Sequence, residues 1–267
     1  MLELIQITND PAFAQRCDAL GGFRLFVDLE RMGKQERQAG LNTFISTHQL
    51  HDIARIRAVL KQSPLMVRVN PLHEGTRAEV DAVLAEGADC LMLPMFATPG
   101  ELLEFSQIVA GRAPIVPLLE TAAALACVEQ WAGTPGLQEI YVGLNDLHLS
   151  LGKRFMFEPL ADGGVERVAR VAQAQGLRFG FGGIARLDEG MLPGRDVLAE
   201  HLRLGSRAVI LSRTFHRGGA MHFEDEIAGL RAAERELATR TPQQVEDDAQ
   251  RIARRIVGVA AELPPRR

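Results

Sequence analysis

Glu120 and Asp146 each close a short apolar run, Ile115–Leu119 and Ile140–Leu144 respectively, the second through Asn145. If the two runs are parallel neighbours in one sheet, both carboxylates emerge at its C-terminal edge. Adjacent carboxylates repel each other, and a divalent cation between them removes that cost. An all-oxygen ligand set suits Mg²⁺ or Mn²⁺. The alternative is cross-strand ionic filler, or an N-cap role for Asp146. Asn145 and His148 flank the acid and are candidates to support it. Arg68 sits inside the apolar run Leu65–Val69, where a guanidinium is costly unless it meets an anion. Its planar fork suits the carboxylate or developing enolate of a 2-oxo acid. A buried salt bridge to Glu30 or Glu120 explains the same spacing equally well.

The elements that must position these residues alternate. β-like runs are expected at Leu2–Thr8, Arg24–Glu30, Leu65–Val69, Ala88–Leu93, Ile115–Leu119, Ile140–Leu144, Arg178–Gly183 and Ala208–Leu211. Helical spacing falls between them, at Pro11–Leu20, His48–Gln62, Thr76–Glu86, Pro99–Val109, Ala122–Trp131, Gly164–Gln175 and Asp196–Leu204. Arg31–Asn42 is polar and reads as a loop or an exposed helix. Short apolar strands alternating with helices mean a parallel sheet covered on both faces. Eight such units in about 215 residues fit a (β/α)₈ TIM barrel better than an open doubly wound sheet. No GxGxxG follows the first strand, so a dinucleotide fold has no support.

Active sites of such barrels lie at the C-terminal ends of the strands. The residues there are Asp28 and Glu30 after the second, Arg68 on the third, Pro94 after the fourth, then Glu120 and Asn145–Asp146. Arg186 follows the seventh, and Ser212 and Arg213 the eighth. Gly180–Gly183 and Gly205–Ser206 raise phosphate binding as a second idea, although glycines also simply permit tight turns. His48, His51 and His73 lack metal-ligand spacing and receive no role.

Composition narrows the class. The chain of 267 residues has a formal charge of −4 and no basic groove, so nucleic acid is not an expected partner. No apolar run is long enough to span a bilayer, and Met1–Asp10 lacks a basic n-region followed by an apolar core, so no signal peptide is expected. Cys17, Cys90 and Cys127 are sparse and odd in number, which fits a reducing, cytoplasmic setting. Residues 1–218 are read as the barrel domain and 219–267 as a helical extension, with helices at Met221–Arg240 and Pro242–Leu263. Thr241, Pro242 and Gln244 mark a capping box. Val245, Ala249, Ile252, Ile256, Val259 and Leu263 then form a seam four and three residues apart. That seam needs a partner, either its own barrel or a neighbouring subunit; a homo-oligomer is expected.

Several of these segments together resemble the HpcH/HpaI aldolase and citrate lyase β-subunit family. They are Pro-Leu-Leu-Glu-Thr at Pro117–Thr121, the Gly-Leu-Asn-Asp-Leu…Leu-Gly stretch Gly143–Gly152, Asp28–Glu30, Val67–Asn70 and Leu93–Met95. They occur in the family's order over roughly half the chain. The resemblance implies a (β/α)₈ barrel that cleaves or forms a C–C bond beside a carbonyl. It implies Mg²⁺ or Mn²⁺ on Glu120 and Asp146, with Arg68 stabilising a pyruvate-type enolate. Asp28, Glu30, Pro94, Asn145, Gly183 and Ser212 complete the expected substrate site. Two positions depart from the aldolase branch. Arg31 stands where those enzymes carry a His base, and Leu118 where they carry a Gln. Both point toward the citrate-lyase-like branch, which often acts on CoA or acyl-carrier thioesters. The expectation is therefore a metal-dependent C–C lyase for a 2-oxo acid or an acyl-CoA. A phosphate-binding isomerase or epimerase, or a barrel serving only as an assembly subunit, are the alternatives.

Overall fold

The computed structural model describes residues 1–33, 46–216 and 222–264. The polar stretch Arg31–Asn42 and the expected domain boundary at 218/219 fall largely or wholly outside the described residues. Eight parallel strands close into a barrel in sequence order. They are β1 Glu3–Ile7, β2 Phe23–Asp28, β3 Leu65–Arg68, β4 Cys90–Leu93, β5 Ile115–Leu119, β6 Glu139–Val142, β7 Arg178–Ile184 and β8 Ala208–Leu211. Closure is made by β8 on β1, with Glu3 opposite Ala208 and Ile5 opposite Ile210.

Successive side chains on each strand point to opposite faces. Leu25, Val27, Leu65, Val67, Leu91 and Ile140 point outward into the layer shared with the helices. Ile5, Phe26, Met66, Met92, Val116, Leu118 and Tyr141 fill the barrel interior. Both faces are buried, which is why the strands read as continuous apolar runs rather than alternating ones.

The helices around the barrel are α1 Pro11–Leu20, α2 Leu50–Arg57, α3 Thr76–Ala85 and α4 Pro99–Val109, followed by α5 Ala122–Ala126 and α6 Val128–Trp131. After β6 come α7 Leu144–Ser150, α8 Glu158–Ala161, α9 Gly164–Ala174, α10 Gly194–Arg203, α11 Phe223–Leu237 and α12 Pro242–Glu262. The helix expected at Ala122–Trp131 is therefore two. The Trp131 indole donates to the Ala124 carbonyl at 2.8 Å, the acceptor that an unbroken helix would offer to Val128. Cys127 leaves helical dihedrals at that point (φ −115°, ψ 27°). The sixth strand is also shorter than expected. It stops at Val142, and Leu144, Asn145 and Asp146 form the first turn of α7.

The chain ends return to the barrel. Phe223 of α11 meets the Phe13 ring at 4.9 Å, and Arg16 pairs with Glu224 at 2.5 Å. The capping box at Thr241–Gln244 opens α12 as expected. Of the expected seam residues Ile252 and Ile256 are buried, as is Ala260 next to the seam, and the helix packs on α8 and α10 of its own chain. Arg251 pairs with Asp196 at 2.9 Å and fastens that contact. Of the two partners left open by the spacing, this face of the helix has its own barrel.

His201 on α10 faces β7 and is fully buried, stacked on Phe181 with centroids 3.8 Å apart. Its Nδ1 meets the Ser206 hydroxyl at 2.8 Å. Burial pushes its pKa down to about 3 from an ordinary 6.5. In the unfolded chain the ring takes up a proton as pH falls through 6.5, whereas in the folded chain it does not. The group's contribution to stability is therefore complete above 6.5 and is lost as pH falls toward 3. At about pH 5 the loss is on the order of 2 kcal/mol. His201→Gln should accordingly show a smaller drop in Tm than wild type between about pH 7.5 and about pH 5. Parallel Tm curves for the two proteins would contradict this account.

Candidate active site

The C-terminal mouth of the barrel holds a cavity of about 240 Å³. Arg68, Glu120, Asn145, Asp146 and Gly183 line it, together with Tyr141, Gly143, Gly182 and an apolar surround that includes Phe26, Met92, Leu144, Met156 and Ile210. Arg68, Glu120 and Asp146 thus converge on one space, as do Asn145 and Gly183. Asp28, Glu30, Pro94 and Ser212 are not among the described lining residues.

Arg68 is the last residue of β3. Its Nε and Nη2 donate to the two Asp28 carboxylate oxygens at 2.9 and 2.8 Å, a planar bidentate pair. Its Nη1 lies 3.2 Å from Glu30 Oε2, and the guanidinium carbon is 5.8 Å from the Phe26 ring centroid. Burial works against the charge. Asp28, then Glu30 and Glu120, outweigh it and hold the guanidinium above its usual pKa. Asp28 and Glu30 therefore stand behind Arg68 and fix its plane. The salt bridge foreseen with Glu30 is present, joined by a stronger one to Asp28.

Glu120 follows β5 and is 2% exposed. Its Oε1 accepts the Met95 amide at 3.0 Å. Met95 reaches that position in the left-handed region at φ +57°, unusual for a residue with a side chain. Pro94 precedes it and so bears on the acid only through this backbone. On the other side, a Cβ added to Gly143 would stand 2.9 Å from Glu120 Oε2. Gly143 is glycine because the carboxylate occupies that room. Burial pushes the Glu120 pKa up to about 8; Asp146 and Glu30 add to the rise, while Arg68 and the Met95 amide oppose it. Asp146 approaches from the first turn of α7, where a helix N-terminus favours negative charge. His148, beside it in sequence, turns Nδ1 back to the Leu144 carbonyl at 3.1 Å within the same helix.

The loops behind the mouth are tied together. Asn70 Oδ1 accepts the Arg31 and Met32 amides at 2.9 and 3.0 Å, and its Nδ2 donates to Glu79 at 2.8 Å. His73 meets the other Glu79 oxygen at 3.1 Å. His48 lies just before α2 and accepts the Asp28 amide on Nδ1 at 3.1 Å. The chain that carries Asp28 and Glu30 is therefore clamped from two sides. Ser212 turns the chain after β8, its hydroxyl 2.9 Å from that of Thr214.

Several contributors are not evident from residue type. His48 carried no ligand spacing, and the roles of Met95 and Gly143 lie in backbone placement. Tyr141 had one visible signal, as the single Tyr of the chain within the apolar run Ile140–Leu144.

Among the described residues, no group of three or more His, Cys, Asp or Glu side chains is arranged to hold a metal ion. Two carboxylates, Glu120 and Asp146, share the cavity. Hard divalent cations commonly use one or two carboxylates, with water and substrate oxygens supplying the rest. Burial is the main cause of the raised Glu120 pKa, and the neighbouring Asp146 carboxylate adds to it. The residues present fit such a cation.

A closed parallel barrel with its acids and one arginine gathered at the strand C-termini has the form of a (β/α)₈ enzyme. Residues 9–178 match the HpcH/HpaI aldolase/citrate lyase family, and the chain belongs to it. A (3S)-malyl-CoA thioesterase of Cereibacter sphaeroides is 32% identical over 117 residues, covering 42% of this chain and 40% of that protein. The chain thus matches less than half the length of this relative. An HpcH/HpaI aldolase from Desulfitobacterium hafniense superposes with a TM-score of 0.61 at 16% identity, over 90% of this chain and 94% of that one. A citrate lyase from Burkholderia xenovorans gives 0.61 at 16% identity over 99% and 94%. At these identities the likeness establishes the shared fold. No described helix is long and apolar enough to cross a membrane.

Gly143→Ala should force the Glu120 carboxylate or its neighbours to move and cost about 1–3 kcal/mol. Gly133→Ala, whose Cβ would meet nothing closer than 3.8 Å, should leave stability near wild type. Urea unfolding measures both. Equal stability of the two variants would show that Glu120 does not depend on Gly143 for its room.

Proposed function

We propose that this protein is a metal-dependent carbon–carbon lyase or aldolase. It works through the enolate of a 2-oxo acid of the pyruvate type, or of an acyl thioester. The observation that carries this reading is the convergence of Glu120, Asp146 and Arg68 on one cavity at the barrel mouth. Family membership supports the lyase class. The malyl-CoA thioesterase relative keeps an acyl-CoA substrate beside the 2-oxo acid.

Glu120 and Asp146 would hold Mg²⁺ or Mn²⁺. When bound, the cation supplies Lewis-acid stabilisation of negative charge on a carbonyl oxygen. Arg68 acts as a fixed cation at the same cavity. Its fork is locked by Asp28 and Glu30, so little reorganisation accompanies charge development on the substrate. The apolar surround formed by Phe26, Met92, Leu144 and Ile210 limits water around the reacting carbons and strengthens these electrostatic interactions. Asn145 and Gly183 border the same space and offer polar contacts to substrate oxygens.

The test is exchange of solvent deuterium into the methyl groups of pyruvate and of acetyl-CoA, followed by NMR with Mn²⁺ or Mg²⁺ and then with EDTA. Wild type should exchange at least one of the two in the presence of metal and stop on chelation. Glu120→Gln and Asp146→Asn should lose Mn²⁺ binding and at least about 100-fold of the exchange rate. Arg68→Ala should keep Mn²⁺ binding and lose about 100-fold or more of the rate. Metal-independent exchange, or full activity in either carboxamide variant, would rule the mechanism out.

A further inference from the structure

We propose that Tyr141 is a positioning residue of this site: its hydroxyl ties β7 to β8 across a break in their ladder and thereby fixes the wall on which the Asp146 helix rests. The proposal builds on the reading that Asp146 and Glu120 share a cation.

The β7–β8 pairing slips. Gly180 faces Ala208, but the next paired residues are Gly183 and Ile210, so β7 uses three steps where β8 uses two. Such an extra residue leaves backbone groups without their ladder partners. Gly182, inside the bulge, is left-handed at φ +53°. The Tyr141 hydroxyl fills the gap. It accepts the Ile210 amide at 2.8 Å and donates to the Gly182 carbonyl at 2.7 Å. The ring fits against β7 only because Gly180 has no side chain, since a Cβ there would lie 2.7 Å from the ring carbons.

The next link is Leu144. A Cβ on Gly182 would stand 2.8 Å from Leu144 Cδ1, so Leu144 packs directly on the bulge. Leu144 opens α7, and Asp146 lies two residues further in the same turn. A bridge at Tyr141 Oη therefore bears on Asp146 through Gly182 and Leu144. Tyr141, Gly182 and Leu144 border the cavity that Glu120 and Asp146 share. Packing does not require the hydroxyl, because phenylalanine would fill the same buried space. What the oxygen adds is the pair of bonds across the break.

The experiment compares Tyr141→Phe with Leu230→Ala, a core truncation in α11 used as a control for lost stability. Mn²⁺ affinity is read by electron paramagnetic resonance of free Mn²⁺. Amide hydrogen exchange is read without metal on peptides covering residues 144–150 and 180–184. Tyr141→Phe should weaken Mn²⁺ binding about tenfold and speed exchange in both segments. Leu230→Ala should lower Tm and leave both readouts unchanged. Leu144→Ala, which keeps the hydroxyl but opens the contact with Gly182, should weaken Mn²⁺ binding while leaving exchange at 180–184 as in wild type. It also decides the matter if Tyr141→Phe does not fold. Wild-type Mn²⁺ affinity in Tyr141→Phe or in Leu144→Ala, or faster exchange confined to 180–184, would overturn the proposal. If wild type itself binds no Mn²⁺, the cation reading fails separately, and exchange in 144–150 alone upholds or overturns the link from Tyr141 to α7.

Discussion

An excess of buried acid at the barrel mouth is the constraint on which the rest of this structure depends. Asp28, Glu30 and Glu120 gather around Arg68, with Asp146 beside Glu120, and the first three are no more than 5% exposed. Removing like charges from water side by side is expensive. Part of the cost is met by the bidentate Arg68–Asp28 pair and by the Met95 amide on Glu120. The remainder shows as a Glu120 carboxyl that burial and its acidic neighbours push up to about 8. A fold optimised for stability alone has no reason to keep such a pair.

The opposite end of the same barrel makes the contrast. Arg24 and Glu139 are almost fully buried there, yet the charges match. Arg24 bonds Glu139 at 2.7 Å and also reaches Glu3; Arg178 bonds Glu3 at 2.7 Å and approaches Glu139 at 3.4 Å. Two arginines meet two glutamates, and the cluster closes on itself. In barrels of this kind the N-terminal face serves stability and the C-terminal face serves chemistry. The balanced cluster and the unbalanced one fall on those faces accordingly.

Holding the unbalanced cluster takes backbone features that would otherwise be unfavourable. Met95 adopts φ +57° to aim its amide at Glu120. Gly143 gives up a side chain so that the carboxylate has room, and Gly180 does the same for the Tyr141 ring. Strain of this sort persists only where the surroundings over-determine it. The parallel ladders on both sides of β5 and β6 supply that rigidity. The site is thus built on strand ends and one short helix turn rather than on long loops.

The alternation of apolar runs and helical spacing was enough to identify an eight-stranded barrel, because both faces of every strand are buried and the signal is continuous. The strand-end rule then located Arg68, Glu120 and Asp146, since a barrel brings those ends to one mouth whatever the details. The Thr241–Gln244 capping box was equally legible, being a local hydrogen-bond pattern. What the sequence could not decide depends on contacts between distant segments. Spacing left Arg68 between anion clamp and salt bridge. Only the β2–β3 register, which sets Asp28 opposite Arg68, put the bidentate pair in place. The break at Cys127 goes with the Trp131 indole folding back on the Ala124 carbonyl, a side-chain placement that helical spacing does not report, and the early end of β6 gives Asp146 to a helix rather than to a strand. The seam of α12 was visible as a period, but its owner was not, because periodicity records that a face is apolar and not what covers it. The importance of Tyr141 lay furthest from view. Its hydroxyl matters only because β7 and β8, separated from it by many residues, lose their register beside it.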